Sequence, residues 1–474
     1  MNRRPFARPR FALGASLLMA VSACQHVPPA PLDAAANGER LAARSLTAPA
    51  VQAALARHDL PLTGDNSWSL DQLTLAAWLL RTDLAVARSE VDAARAATGV
   101  NRQRPNPTVA TNTENVVDPA VDSPWVIGAA LALTFEPGGK REIREQRAFA
   151  HEQALEWQFG EALWSARAEV RAALLDLALA HELLALDADE TRLTRAFLSW
   201  VETRFEHGAA TTSERLAAMR SLNESESRRE IDNTAAAKAS ATLAAAIGVA
   251  PSELANTPPA LPPLTDLPAI AAVDVTAARD LALANRLDVR RALAEYEVAE
   301  QDLRAAVASQ YPDLTLAPGY LVDQADHKIT LGLDLPVPLF HNASAAIQQA
   351  IAARAVAAAK FDDVQSAVLA AIDIGFAQYQ STRNALAAAE QAERSAADAA
   401  ASFERQLAAG AANRGELLAL QIALTGLQRS ALAARRAVLE AVTALENGVE
   451  RPLFPASSIE PAGVIRELLV ESSR

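Results

Sequence analysis

The sequence contains little of what enzymes and nucleic-acid-binding proteins usually need. Its 474 residues include one cysteine and seven histidines, which excludes a disulfide framework and leaves little material for a metal site. The 44 basic residues are outnumbered by 57 acidic ones, and a net charge of -13 disfavours binding to nucleic acid through phosphate neutralisation. No run of about 18 apolar residues occurs beyond the extreme N-terminus, so we expect no membrane-spanning helix.

Catalytic motifs are also missing. The sequence has no P-loop and no GxSxG, HExxH or CxxC pattern, and its histidines are scattered along the chain. We therefore expect the protein not to be an enzyme and to need neither a cofactor nor a metal.

The single cysteine, Cys24, lies where an export signal would end. A basic start and the short apolar stretch 11–20 are followed by the small residues Val21-Ser22-Ala23. The arrangement resembles a bacterial lipobox and predicts a signal peptide over residues 1–23, with acylation of Cys24; the alternative is a stray or buried cysteine. Because Gln25 follows rather than an aspartate, the resemblance implies sorting to the outer membrane.

Proline divides the rest of the chain. None occurs in residues 138–250 or 339–451, and both stretches are rich in Ala, Leu, Glu and Arg, so each predicts long helices. Six prolines fall within residues 251–268, which predicts an extended linker. We interpret residues 24–66 as an extended, lipidated N-terminal segment and residues 452–474 as a C-terminal tail.

Residues 67–250 and 269–451 are interpreted as two copies of one unit. Widely spaced landmarks of the first copy recur in the second at a nearly constant offset, as duplication produces. The matching landmarks are Arg81-Thr82-Asp83-Leu84 with Arg286-Leu287-Asp288-Val289, Pro107 with Pro312, and Gly208-Ala209-Ala210 with Gly410-Ala411-Ala412.

Each copy is predicted to run from a helix through a pair of strands to long helices. The first helices are expected over residues 70–100 and 275–309. Apolar residues that alternate at period two predict strands over residues 108–116, 125–135, 314–322 and 329–339. Strands of about ten residues suit a tilted crossing of a bilayer, although strands half-buried on a soluble core alternate in the same way.

Four strands are too few to close a barrel that hides its backbone from lipid, so other copies of the chain must supply the rest. Three chains would give twelve strands. The proline-free stretch from Lys140 to Glu206 would form a helix of about 100 Å, which is enough to cross much of a periplasm. Antiparallel pairs of such helices, turning near Gly208 and Gly410, would continue the barrel as a helical tube; the alternative is a coiled-coil stalk without a lumen.

Several short motifs together resemble those of the outer membrane factor family, also called TolC-like channels. Gly138-Gly139-Lys140-Arg141 resembles the turn after the second strand, notably in the heavy-metal efflux branch. Residues 335–342, which include Pro338, resemble the strand exit of the second repeat. Residues 204–208 and 405–410 resemble the glycine turns at the periplasmic tip.

The resemblance implies an α+β fold, mostly α, in which long antiparallel helices form a periplasmic α-helical barrel. Four strands per chain contribute to a twelve-stranded transmembrane β-barrel of a homotrimer, in the outer membrane of a Gram-negative bacterium. It implies a periplasmic adaptor and an inner-membrane pump as partners, which meet the tips near Gly208 and Gly410. The channel is then the exit duct of a tripartite efflux system for small molecules or metal ions.

Other residue roles stay open at this point. Glu214 and Glu416, each six residues beyond a tip glycine, are candidates for a gate at the narrow entrance, or ordinary solvated glutamates. Lys140 and Arg141, beside Gly139, either meet anionic lipid headgroups or keep the turn hydrated. Two alternative functions are a structural lipoprotein that tethers envelope layers and an exit duct for type I protein secretion.

Overall fold

The computed structural model describes residues 27–61, 67–115, 117, 125–265, 275–323, 326–340 and 343–451. The predicted signal peptide, Cys24 and the predicted C-terminal tail lie outside these residues. The chain divides into two units, Met1–Arg44 and Ser45–Arg474.

The first unit contains one described helix, α1 (Ala34–Ala42). Asp33 caps its N-terminus, because its carboxylate accepts hydrogen bonds from the backbone N–H groups of Ala35 at 2.9 Å and Ala36 at 3.2 Å. Arg40 lies in the last turn, where a positive charge is favoured by the helix dipole.

The second unit has the predicted order of helix, strand pair and long helices, twice over. Its helices are α2 (Pro49–Arg57), α3 (Leu70–Leu80), α4 (Thr82–Asn101), α5 (Lys140–Glu206), α6 (Thr212–Ile247), α7 (Pro251–Asn256), α8 (Val275–Asn285), α9 (Leu287–Ala308), α10 (Ser344–Ala408) and α11 (Arg414–Val449). Its strands are β1 (Thr108–Asn115), β2 (Trp125–Phe135), β3 (Leu314–Asp323) and β4 (Asp326–Asp334).

The long helices confirm what the absence of proline predicts. Helix α5 has 67 residues and α10 has 65, so each is about 100 Å long. Each pairs with the 36-residue helix that follows it, α5 with α6 and α10 with α11. Alanine is frequent among the residues that the hairpins bury, and its small side chain lets the helix backbones approach closely.

The first helix of each repeat is broken, contrary to the continuous helices predicted over residues 70–100 and 275–309. Arg81 ends α3 with an extended backbone, φ -72° and ψ 134°, and Arg286 separates α8 from α9 with φ -60° and ψ 137°. The sequence has no proline or glycine at either break, so nothing local signals it.

Contacts of the two arginine side chains explain the breaks. Each guanidinium binds the aspartate two residues ahead, with N–O distances of 2.6–3.0 Å. Arg81 also donates to the carbonyl of Ala246 at 3.3 Å, and Arg286 donates to those of Asn447 and Gly448 at 3.1 and 2.8 Å. In both repeats the arginine therefore satisfies carbonyl groups that the returning helix leaves free at its C-terminus.

The four strands form one antiparallel sheet in the order β1-β2-β3-β4. The prediction that the fourth strand reaches residue 339 is wrong, since β4 ends at Asp334. Apolar alternation continues beyond it, but Pro336 and Pro338 have no backbone N–H to donate to a neighbouring strand.

Two segments predicted as extended contain short helices. Helices α1 and α2 lie within residues 24–66, and α7 lies within residues 251–268. Helices α2 and α7 begin with proline, whose fixed φ suits the first turn, where its missing N–H costs nothing. Proline here starts helices instead of excluding them.

An apolar core surrounds α3 and the C-terminal end of α6. Trp68, Leu73 and Leu243 are at most 1% exposed, and the indole N–H of Trp78 donates to the carbonyl of Leu163 at 2.9 Å. This core fixes α3 and α6 against the middle of α5, which positions the long hairpins.

By length and composition α11 is apolar enough to cross a membrane, although it contains no unbroken run of about 18 apolar residues. It packs along α10 and α5 within the unit, and Arg429 on it forms ion pairs. Its high content of Ala and Leu accounts for both the apolar composition and the close helix packing.

Candidate functional site

The sheet has two chemically different faces. The register places alternate residues of β2, β3 and β4 side by side, so that Leu133, Leu316 and Leu333 form one row. The apolar face contains Trp125, Ile127, Ala129, Leu131, Leu133, Phe135, Leu314, Leu316, Pro318, Tyr320, Val322, Ile329, Leu331 and Leu333, together with His327 beside Val322. The other face contains Val126, Gly128, Ala130, Ala132, Thr134, Thr315, Ala317, Gly319, Leu321, Lys328, Thr330, Gly332 and Asp334.

The apolar face of this sheet is exposed, and on β2 the pattern of burial is the reverse of that in a soluble protein. On β4, Ile329, Leu331 and Leu333 are 89%, 70% and 62% exposed. On β2 the apolar Ile127 is exposed, whereas Ala130 on the opposite face is half-buried. A soluble sheet covers its apolar face with another layer; this one leaves it uncovered over three strands.

The face of small residues is tightly packed at its centre. A Cβ atom on Gly319 would lie 2.7 Å from Oγ1 of Thr330 and 3.0 Å from the carbonyl oxygen of Ala129. A Cβ on Gly128 would lie 2.8 Å from the Leu321 side chain. Close approach of the neighbouring strands therefore requires glycine at position 319, where a backbone oxygen is close, whereas at Gly128 the Leu321 side chain would have to move.

Acidic residues lie on the small-residue face at the end of the sheet away from the long helices. Glu114, Asp323 and Asp326 share one row of the register, through Val126. Lys328 donates to Asp323 at 2.5 Å. Because this one cation faces three carboxylates, this end of the face keeps a negative charge.

Both outer strands present open edges. Within the part of the chain that the structure describes, strands β1 and β4 each pair on one side only, and every residue of both is exposed. Their unpaired N–H and C=O groups can form hydrogen bonds with a further strand.

The turn from β2 into α5 contains three of the sequence-predicted residues. Gly138 and Gly139 have φ values of 75° and 72°, a conformation that favours glycine, and Lys140 begins the helix. The Lys140 ammonium donates to Asp313, just before β3, at 2.7 Å. Arg141 is half-buried and lines a depression with neighbours on α4 and α5.

Sequence reasoning missed the carboxylate partners at this turn. Asp313 is 173 residues from Lys140, and no sequence pattern links the two. Glu136 accepts two hydrogen bonds from Arg144 at 2.5 and 3.0 Å. In the second repeat, Pro338 follows β4, and α10 begins after Ala343, whose φ is 60°; residues 341 and 342 of the predicted motif lie outside the described residues.

The two hairpin tips have the same geometry. Gly208 and Gly410 have φ values of 70° and 73° and follow the C-termini of α5 and α10. The next residue donates its backbone N–H five residues back, from Ala209 to Arg204 at 2.7 Å and from Ala411 to Gln406 at 2.8 Å. This helix-terminating turn needs a left-handed residue at the glycine, so the predicted turns are confirmed.

The candidate gate residues differ in their surroundings. The Glu214 carboxylate accepts from the Thr211 backbone N–H at 2.6 Å and from its hydroxyl at 2.9 Å, and these hydrogen bonds hold its pKa below the ordinary value. Glu416 uses its backbone N–H to bind the Asn413 side chain at 2.9 Å. Its carboxylate is exposed and has no partner among the described residues.

Ion pairs hold α11 against its neighbours. Arg429 binds the buried Asp187 on α5 and, at 2.7 Å, Asp232 on α6. Burial raises the pKa of Asp187 to about 6, against the opposing effect of Arg429. Nearer the helix C-terminus, Arg436 binds Asp176 at 2.5 Å. The described residues contain no group of three or more His, Cys, Asp or Glu suited to a metal ion.

Sequence comparison gives one family. The model described as "Outer membrane efflux protein" matches residues 76–249 and 278–448, one stretch in each repeat. The two matches confirm the internal duplication. No curated protein matches the chain.

Solved structures share the fold. A membrane protein from Pseudomonas aeruginosa is 18% identical with a TM-score of 0.68, over 80% of this chain and 92% of that chain. The outer membrane protein VceC from Vibrio cholerae is 19% identical with a TM-score of 0.66, over 81% and 97%. The CmeC outer membrane channel of Campylobacter jejuni is 13% identical with a TM-score of 0.66, over 95% and 99%.

Proposed function

Since the chain belongs to the outer membrane efflux protein family, we propose that three copies of it form the exit duct of a tripartite efflux system. The duct passes small molecules or metal ions, received from a periplasmic adaptor and an inner-membrane pump, through the outer membrane. The observation that carries this proposal is the inverted sheet, with its apolar face exposed and both edges open.

Lipid explains both properties of the sheet. In a bilayer every backbone polar group needs a partner within the protein, so a sheet with two open edges must join others. Pairing β1 of one copy with β4 of the next closes a ring of twelve strands after three copies, an even number that such barrels use. The apolar face then contacts lipid, and the face of small and polar residues lines the lumen.

The long hairpins extend the duct into the periplasm. From the turns at Gly139 and Ala343, α5 and α10 run about 100 Å to the tips at Gly208 and Gly410. The tips are the ends farthest from the sheet along these helices and therefore the surface that the adaptor meets. Residues 67–250 and 269–451 act as equivalent halves of the subunit.

We assign the gate to Glu416 and not to Glu214. The Glu214 carboxylate accepts two hydrogen bonds from Thr211 and so stabilises the first turn of α6. It is therefore not free to act at the entrance. Glu416 is exposed and unpaired among the described residues, and three copies would place three negative charges at the entrance. In this role it favours cations and repels anions.

Residues at the membrane boundary have separate roles. Lys140 fixes the strand-to-helix turn through Asp313, and Arg141 is left to meet headgroup phosphates. Pro336 and Pro338 keep the segment after β4 from continuing the strand pairing. Acylation of Cys24 anchors the chain; labelling with radioactive palmitate is expected for the wild type and not for Cys24→Ser.

Two measurements test the proposal. The detergent-extracted protein is expected to have the mass of a trimer, and a monomer would contradict the barrel. In planar bilayers Glu416→Ala should conduct more than the wild type and be less cation-selective. Glu206→Ala removes the same charge at the other tip and serves as the control. Equal conductance of the two variants would contradict the gate role of Glu416 but not the proposal that the protein is a duct.

A further inference from the structure

A depression in the surface lies between the end of α4 and the start of α5. It has a volume of about 380 Å³ and is lined by Arg102, Arg141, Glu142, Glu145, Gln146 and Phe149. Four of these six side chains are charged, two with each sign. A surface of this composition fits a ligand that itself carries charges of both signs.

Two of the four charges are already paired with each other. The Nε–H of Arg102 donates to Glu145 at 2.8 Å. Arg141 is half-buried and has no ion-pair or hydrogen-bond partner among the described residues. Glu142 is exposed and accepts a hydrogen bond from the Gln146 amide at 3.3 Å. One guanidinium and most of one carboxylate, on consecutive residues, are therefore free to bind a ligand.

The depression begins at the level of the membrane boundary. Phe135, at the end of the apolar face of β2, is 52% exposed, and Tyr311, just before β3, is 57% exposed. Exposed aromatic side chains at the ends of membrane strands occupy the interface between lipid and water. Arg141 and Glu142 lie in the first turn of α5, directly after the turn that follows Phe135. They are therefore placed in the layer of lipid headgroups.

The charges of the depression belong to the first repeat alone. Residues 343–353, which begin α10 in the second repeat, contain no charged side chain, and Val307 stands at the position of Arg102. Val307 and Ile351 on this face are 41% and 39% exposed. The turn from strand to helix therefore does not need the charges, and the same face of the second repeat is apolar, as suits a surface beside lipid.

A phospholipid headgroup with a primary ammonium has the matching charges. Its phosphate can accept two parallel N–H bonds from a guanidinium, the geometry in which arginine binds phosphate best. Its ammonium can donate to a carboxylate such as that of Glu142. A trimethylated ammonium has no N–H to donate, and a glycerol headgroup has no cation, so each of these would satisfy only one of the two free groups.

We propose that the depression between α4 and α5 binds the headgroup of an ethanolamine phospholipid in the periplasmic leaflet, with the phosphate on Arg141 and the ammonium on Glu142. The proposal rests on the membrane position of the sheet in the function proposed above. Each chain contains one whole depression, so a trimer binds three such lipids.

Native mass spectrometry of the delipidated protein in detergent counts the bound lipids. The wild type should bind one phosphatidylethanolamine per chain and prefer it to phosphatidylcholine and phosphatidylglycerol. Arg141→Ala should weaken this binding about tenfold or more, because the charge-assisted hydrogen bonds to phosphate are lost. The matched control is Arg104→Ala, which removes the same charge from an exposed arginine nearby that does not line the depression. It should bind as the wild type does.

Two further variants test the headgroup chemistry. Glu142→Gln should weaken the binding of phosphatidylethanolamine and leave that of phosphatidylglycerol unchanged, because only the first lipid carries an ammonium. Arg141→Lys keeps the charge without the planar fork and should give an intermediate affinity; it keeps the test available if Arg141→Ala does not fold. Inorganic phosphate in large excess should not displace the lipid.

The outcomes separate the lipid site from the duct. Equal losses in Arg141→Ala and Arg104→Ala, equal binding of the three phospholipids, or displacement by inorganic phosphate would each overturn the site. If the wild type is a conducting trimer without this lipid preference, the site is wrong and the duct stands. If it binds phosphatidylethanolamine as expected but forms neither a trimer nor a pore, the duct fails and the site, which lies within one chain, stands.

Discussion

Glu450 makes the stability of the protein depend on pH. It ends α11 in the left-handed conformation, with φ 50° and ψ 39°, where the first repeat has Gly248 with φ 90°. Its buried carboxylate accepts the backbone N–H of Leu287 at 2.7 Å and lies 3.9 Å from Arg286. The second repeat thus places an acid at a position where the first repeat has no side chain.

Burial raises the pKa of Glu450 from 4.5 to about 7, because the loss of hydration outweighs the hydrogen bond from Leu287 and the charge of Arg286; nearby Asp288 and Glu161 act in the same direction as burial. The folded state therefore holds this proton more tightly than the unfolded state. The contribution to stability is fully present below pH 4.5 and is lost as the pH rises through 7. At about 1.4 kcal/mol per pH unit, the loss is about 3 kcal/mol.

Glu450→Gln removes the titrating group and tests this magnitude. Guanidinium unfolding of the detergent-solubilised protein, followed by far-UV circular dichroism, gives the free energy of unfolding at several values between pH 4.5 and 7.5. The wild type should lose about 3 kcal/mol more than the variant over this range. Glu404→Gln, at an exposed acid on α10, should keep the wild-type slope. Equal pH slopes for the wild type and Glu450→Gln would show that the pKa of Glu450 does not differ between the folded and unfolded states.

Three further substitutions test other contacts through unfolding or assembly. Thr211→Ala removes the α6 cap and should cost about 1 kcal/mol of unfolding free energy; an unchanged midpoint would contradict the capping role. Arg429→Ala leaves the buried Asp187 carboxylate without its cation and should cost about 3–5 kcal/mol, whereas a loss below about 1 kcal/mol would mean that the pair is solvated. Gly319→Val places a side chain where the strands touch and should lower the yield of trimer in detergent, while Gly99→Ala, in open space on α4, should not.

The sequence predicts those helices, turns and strands that depend on residues close together in the chain. The absence of proline predicts α5 and α10 along their whole lengths, because nothing inside them removes a hydrogen bond. Glycine predicts the tip turns, since few other residues adopt the left-handed conformation. The alternation of apolar and small residues predicts both ends of β2 correctly, because the two faces of this strand differ in composition.

What the sequence does not predict depends on contacts between distant residues. The break at Arg81 is stabilised by a carbonyl group 165 residues away. The role of Glu214 depends on the N-terminal cap of α6 that it completes. Its position in the sequence, six residues after Gly208, does not distinguish a capping residue from a gate residue with a free carboxylate. The ring of Trp200 on α5 lies against the backbone of Gly415 on α11, and the sequence of neither helix indicates this contact.

The proposed function requires three chains to form together an open-ended conduit through a membrane. The most direct test is the single-channel conductance in planar bilayers of the detergent-extracted protein, on the same sample whose mass is determined. We expect discrete conductance steps from a trimer. A protein that keeps its helical circular dichroism signal but is monomeric and gives no steps would contradict it.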